Sequence, residues 1–152
     1  MRNTLRFQCY YEGAMYMVSD LAFYKDGSVG INGFVGQSFN PDHQHCSPLM
    51  QYTGILGRNG RMVFEDDLRR EEVSENTGDV RYYYICTWIK ERAMFSWLSL
   101  EEHSAYTDQS PQDFDVIFPE DPIPMSTEEK EYIVIMGNVI ATPSLLNYER
   151  LI

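Results

Sequence analysis

The sequence predicts a mainly β fold with a few short helices. Three observations predict it. The 152 residues include 11 Tyr, 8 Phe and 2 Trp, types that pack well on pleated surfaces. Apolar and polar side chains alternate with period two in several runs. Glycine-containing turn sequences separate those runs. The length is that of one domain, enough to bury a core without metal or disulfide support.

Residues 5–11 read as a first strand, broken at Glu12-Gly13 before Met15, Met17 and Val18 resume an extended pattern. Residues 21–24 and 29–35 flank Lys25-Asp26-Gly27-Ser28, a hairpin turn in which Gly27 takes the left-handed position. The N-terminal third is therefore an antiparallel meander. Residues 36–48 are polar, hold Pro41 and Pro48 and show no period, which makes them a loop joining lobe 1–35 to lobe 49–152 of a single 1–152 domain.

The stretch LMQYTGILGRNGRMVFEDDL at 49–68 carries the strongest local signal. Met50, Tyr52 and Gly54 fall on one side of a ribbon, and Leu49, Gln51 and Thr53 on the other. Asn59-Gly60 supplies two residues that tolerate positive φ, so the chain reverses into Met62, Val63 and Phe64. The densely charged 67–76 segment fits either a helical turn or an exposed strand. Asn76-Thr77-Gly78-Asp79 is a turn, and the aromatic, β-branched run 80–89 behind it is a strand that 93–100 pairs with through Lys90-Glu91-Arg92. Residues 101–125, with four prolines and many acids, read as a long loop. Ser126-Thr127-Glu128-Glu129 resembles a helix start. Residues 132–136 form a strand that Gly137-Asn138 kinks and 139–141 extends, and Pro143 opens a final helical turn.

Charge is uneven: residues 93–152 carry 2 basic and 11 acidic groups, net −9 of the total −11. Such an excess repels phosphate backbones, which argues against direct nucleic-acid binding. No apolar run is long enough for a membrane span or a secretory leader, so the expected location is the cytoplasm. Cys9, Cys46 and Cys86 are odd in number and widely spaced, as reduced, mostly buried thiols would be.

Three separated blocks resemble the YopX family of small proteins from bacteriophages, prophages and other mobile elements of bacteria. They are LRFQCYYEGAMYMVSDLAF at 5–23, the 49–68 stretch, and IMGNVIATPSLL at 135–146. In the family-like pattern, Gln51, Tyr52, Thr53 and Gly54 form a strand, Asn59 and Gly60 a turn, Glu65 and Asp67 its acidic end, and Gly137, Asn138 and Pro143 the closing block. Asp66 stands where the family usually has Gly, Arg69-Arg70 replaces an apolar continuation, and Tyr10 stands where Trp is common. The resemblance implies an N-terminal sheet leading into a small, partly open β-barrel. It implies no activity and no cofactor.

His43, His45 and Cys46 are the one tight group of metal-ligand types, with Asp42, Cys86 and His103 as further ligands to complete a site. No second pair lies nearby in sequence, so no metal is expected. Glu65 and Asp67 share a strand face and suit acid-base or magnesium chemistry. Beside a turn, carboxylates equally hold backbone amides at a bend, the role favoured here. No nucleophile elbow, phosphate loop or dinucleotide fingerprint is present. Tyr82, Tyr84, Trp88 and Trp97 offer one face as a protein-binding surface. The expectation is a non-enzymatic β module that binds a protein partner or self-associates. One alternative is an acidic decoy that occupies a basic nucleic-acid-binding surface of a host protein. Another is a hydrolase or nuclease using Glu65 and Asp67.

Overall fold

A computed structural model describes residues 5–42, 45–75, 78–108, 113–127 and 132–146, with the backbone alone at 72–75 and 78–81. The chain divides into two compact units, 1–52 and 53–152, so the 36–48 segment belongs to the first.

In the first unit β1 (Phe7–Tyr11) turns through Glu12 and Gly13, both at positive φ (45° and 86°), into β2 (Ala14–Phe23). Those two left-handed residues match the twist of the flanking strands, which is why a two-residue link suffices. β2 pairs antiparallel with β3 (Val29–Phe34), and Asp26 Oδ1 closes the turn by accepting from the Ser28 amide and hydroxyl. Cys9, Tyr11, Ile31 and Phe34 form the core of this unit. Cys46 and Ser47 fold back on β1: the Tyr10 amide donates to Ser47 Oγ and the Ser47 amide to the Tyr10 carbonyl. β4 (Met50–Leu56) begins against β1 at Met50 and Gln51 and carries the chain into the second unit.

There the Asn59-Gly60 turn forms as expected, with φ of 62° and 73°, and leads into β5 (Met62–Phe64). The charged 67–76 stretch resolves as a strand, β6 (Asp67–Glu75). It extends because β7 (Gly78–Ile89) pairs along 68–75 on one side and β9 (Val134–Asn138) along 67–70 on the other. Paired backbone outweighs poor strand propensity in Arg and Glu. β8 (Met94–Ser99) completes an antiparallel sheet ordered β8-β7-β6-β9. Its two edges stay apart, and no closed barrel forms among the described residues.

One face of this sheet carries Leu68, Ile85 and Leu98, covered by Val139, Leu145 and Phe118. The other carries Cys86, Phe95, Trp97 and Ile135, packed with Val63, Ile133 and Met125. Tyr84 and Ile85 of β7 each lie opposite one partner on β6 and one on β8, so side chains in register share a face.

Two sequence expectations are corrected. The long loop over 101–125 instead begins with helix α1 (Leu100–Thr107) and includes α2 (Phe114–Ile117). Ser99 Oγ accepts from the Glu102 amide and Glu102 Oε1 from the Ser99 amide, a reciprocal capping box that nucleates the first turn. The Phe114 and Phe118 rings lie tilted 5.0 Å apart, and Phe118 is buried with Ile89 and Leu98, so this region carries an apolar anchor. Residues 139–141 turn and do not extend β9, because Asn138 Oδ1 accepts the Ile140 and Ala141 amides that a strand would aim outward. Pro143 opens a 3-10 turn as expected. The Asn76-Thr77 turn and Glu128-Glu129 lie outside the described residues.

Candidate functional site

The face bearing Arg69 and Glu71 builds the cavity. The two residues are two apart on β6 and so point the same way, and the register sets Tyr84 opposite both Arg69 and Ser99, with Trp97 opposite Cys86. Past β8 the chain caps α1 at Ser99, which brings Glu102 to the same end. The 120–126 strap then returns along β8: Met125 donates its amide to the Phe95 carbonyl, Ser96 Oγ donates to the Ile123 carbonyl at 2.7 Å, and Ser96 bridges Pro124. The strap thus covers what would be an open strand edge. Between strap and sheet lies a cavity of about 420 Å³ walled by Tyr84, Trp97 and Pro122 to Pro124, with Glu71, Glu102, Glu120 and Asp121 among its lining residues.

Arg69 forms the floor and is only 4% exposed. Its guanidinium carbon lies 5.9 Å from the Tyr84 ring centre and 5.6 Å from that of Trp97, within cation–π range. Glu71 Oε2 sits 3.9 Å from the same guanidinium. Burial, and next the Glu71 carboxylate, push the Tyr84 hydroxyl above the usual phenol range, with Arg69 opposing. Asp121 pairs with Arg92 at 3.0 Å on the surface, where both side chains are largely exposed and the pair is screened. Four carboxylates therefore line a cavity containing one arginine. Such a site has aromatic and proline surface for an aliphatic or planar group and excess negative charge for a cation.

Of the four aromatic residues singled out in the sequence, Tyr84 and Trp97 line this cavity, and Tyr82 stands exposed opposite Glu71. Trp88 is elsewhere on the face, stacked edge-on against Phe95 at 4.9 Å. Sequence reasoning noted Arg69 only as a departure from the family-like pattern, read the strap only as part of an acidic loop, and assigned Glu71 no role. The signals were the Arg69-x-Glu71 alternation and the Ser99-x-x-Glu102 spacing, which places Glu102 in a first helical turn.

The acidic end of the 49–68 hairpin forms a hydrogen-bonded knot, a bend at Asp66 clasped by Asn138. Asp67 Oδ2 accepts the Phe64 amide at 2.9 Å, and Asn138 Nδ2 donates to Asp67 Oδ1 at 3.0 Å and to the Glu65 carbonyl at 3.3 Å. Asp66, at φ 69°, donates its amide to Cys86 O and accepts from the Val139 amide. Burial, then Glu65 and Asp67, raise the Asp66 carboxyl to about 7. Burial raises Asp67 to about 6 against the opposing bonds from Asn138 and Phe64. Nearby, Thr53 Oγ1 donates to the Val63 carbonyl, Gly54 holds φ 84°, and Gly137 passes so close to Leu145 that a Cβ would lie 2.8 Å from its Cδ1. Gln51 pairs with Phe7, and the Tyr52 amide donates to Arg6 O.

His45 is exposed and lies 3.6 Å from Asp42, while the Cys46 thiol is pushed up to about 11 by burial and the neighbouring Cys9. His103 is buried in α1, where burial lowers its pKa, and Cys86 is buried in the sheet core. His43 lies outside the described residues. Among the described residues no three His, Cys, Asp or Glu side chains converge as a metal site.

The model of the family described as YopX protein matches residues 10–147. The chain belongs to the YopX family. No curated protein matches this YopX chain. A solved structure, protein EF1440 from Enterococcus faecalis, aligns over 94% of this chain and 98% of its own with 16% identity and a TM-score of 0.44. No described helix of this YopX chain is long and apolar enough to cross a membrane.

Proposed function

We propose that this YopX protein is a non-enzymatic binding module of mobile-element type that acts in the bacterial cytoplasm by docking a protein on the cavity formed by β6, β7, β8 and the 120–126 strap. The observation that supports this reading is the cavity itself: Tyr84 and Trp97 in its walls and an exposed Tyr82 beside it. Tyr and Trp dominate the energetics of protein interfaces because they bury much area with few rotors. The Glu65 and Asp67 pair has a different character, since both Asp67 oxygens already hold Phe64 and Asn138. A structural clasp is the role we assign to the Asp67 carboxylate, and Glu65 joins it through its backbone carbonyl.

A photocrosslinking residue placed at Ile123, which is 79% exposed on the cavity rim, tests the reading in the full chain expressed in a bacterial host. The expected result is a discrete adduct, with a host protein or a second copy, that Tyr84→Ala abolishes. Adducts that Tyr84→Ala leaves unchanged, or none at Ile123 while a probe at the exposed Phe23 captures a protein, overturn it.

A further inference from the structure

We propose that the group entering this cavity is a cationic side chain, an arginine or lysine from a basic segment of the partner protein. The inference rests on the reading above and deepens it by naming the chemistry of the occupant. Its first support is charge. Among the described residues, Glu71, Glu102, Glu120 and Asp121 line the cavity and Arg69 is the one lining cation. Two of the four are partly engaged, Glu71 with Arg69 at 3.9 Å and Asp121 with Arg92 at 3.0 Å. Glu102 gives one oxygen, Oε1, to the Ser99 amide. An excess of negative charge therefore remains for an incoming cation.

The second support is the aromatic and proline surface of the walls. Arg69 shows how these walls accommodate a guanidinium: flanked by the Tyr84 and Trp97 rings at 5.9 and 5.6 Å, with a carboxylate to one side. A second arginine or lysine meets the same chemistry from the open side, its stem against Pro122 and Ile123 and its head among Glu102, Glu120 and Asp121. The third support is the wider field. Residues 93–152, which supply the strap and α1, carry net −9, and an acidic patch around a pocket draws basic surfaces and accelerates encounter. A partner whose basic segment is captured here loses that segment for binding nucleic acid, which gives the module the action of a decoy.

The test uses the full chain carrying Trp88→Phe, so that Trp97 alone reports by fluorescence. Probes are an acetylated and amidated Gly/Arg peptide, the same peptide with Glu for Arg, and spermidine. The expected result is saturable binding of the arginine peptide with a change in Trp97 emission, and none with the glutamate peptide. Affinity should fall at least about tenfold in Glu120→Gln/Asp121→Asn, and steeply as salt rises, as for a rim-charge contact. Both replaced residues are exposed, so the fold survives, as circular dichroism will verify. Failure of the arginine peptide to bind, binding that Glu120→Gln/Asp121→Asn leaves unchanged, or binding of spermidine alone overturns the inference. If the Ile123 crosslink to a protein persists in that double variant and is lost in Tyr84→Ala, the docking site stands and only its preference for a cation falls.

Discussion

Replacing Asp66 should stabilise the protein, and by an amount that depends on pH. Asp66 sits at φ 69°, a conformation fixed by its amide bond to Cys86 O and its carbonyl bond from Val139. Asp tolerates this region better than most residues, so the backbone strain is on the order of 1 kcal/mol. The larger cost is the carboxylate. Burial beside Glu65 and Asp67 raises its pKa from 3.8 to about 7. The folded state then holds the proton more tightly than the unfolded state does. No penalty exists when both states are protonated. Stability falls as pH rises through the window from about 4 to 7 and stays low above it. At about 1.4 kcal/mol per unit the full cost reaches roughly 4 kcal/mol, and partial exposure reduces it to about 2–3.

Asp66→Asn removes the charge and keeps the tolerance for positive φ; Asp66→Gly also removes the strain. Urea unfolding followed by fluorescence should show Asp66→Asn more stable than the native chain by about 2–3 kcal/mol near pH 8, and by roughly half as much near pH 5.5. Asp66→Gly should add up to about 1 kcal/mol at either pH. Equal stability of Asp66→Asn and the native chain near pH 8, or a gain that does not change between the two pH values, would refute the electrostatic argument.

Asn138→Ala removes donors to Asp67 Oδ1 and Glu65 O and the acceptor for two amides. It should cost about 2–4 kcal/mol in the urea midpoint, and a loss under about 1 kcal/mol would show that water replaces the clasp. Ser99→Ala should cost about 1 kcal/mol and speed hydrogen exchange of the first-turn amides of α1, with the Glu102 amide as the most direct reporter. Unchanged exchange there would mean that packing alone holds the helix. Gly137→Ala should destabilise by about 1–3 kcal/mol, because the added Cβ meets Leu145 Cδ1 at 2.8 Å, and Leu145→Ala should relieve part of that loss.

The sequence by itself determined the local turns and the class of fold. Glu12-Gly13, Lys25-Asp26-Gly27-Ser28 and Asn59-Gly60 reverse the chain where they stand because Gly13, Gly27, Asn59 and Gly60 accept positive φ at little cost. Alternation did the same for β7, and the three family-like blocks placed the chain with the YopX proteins. The α1 cap was also legible in Ser99-x-x-Glu102, yet the four prolines and many acids of 101–125 masked it.

Only the tertiary structure decided what depends on partners distant along the chain. The strand state of 67–75 required β7 along one side and β9 beside its first four residues. The turn at 139–141 required Asn138 to spend its side chain on its own backbone while clasping Asp67, 71 residues earlier. The cavity required Arg69, Tyr84, Trp97 and the 120–126 strap to meet, which no short-range periodicity encodes. Turn geometry is set by energies within a few residues, whereas burial of Arg69 between aromatic rings exists only once three strands are in register.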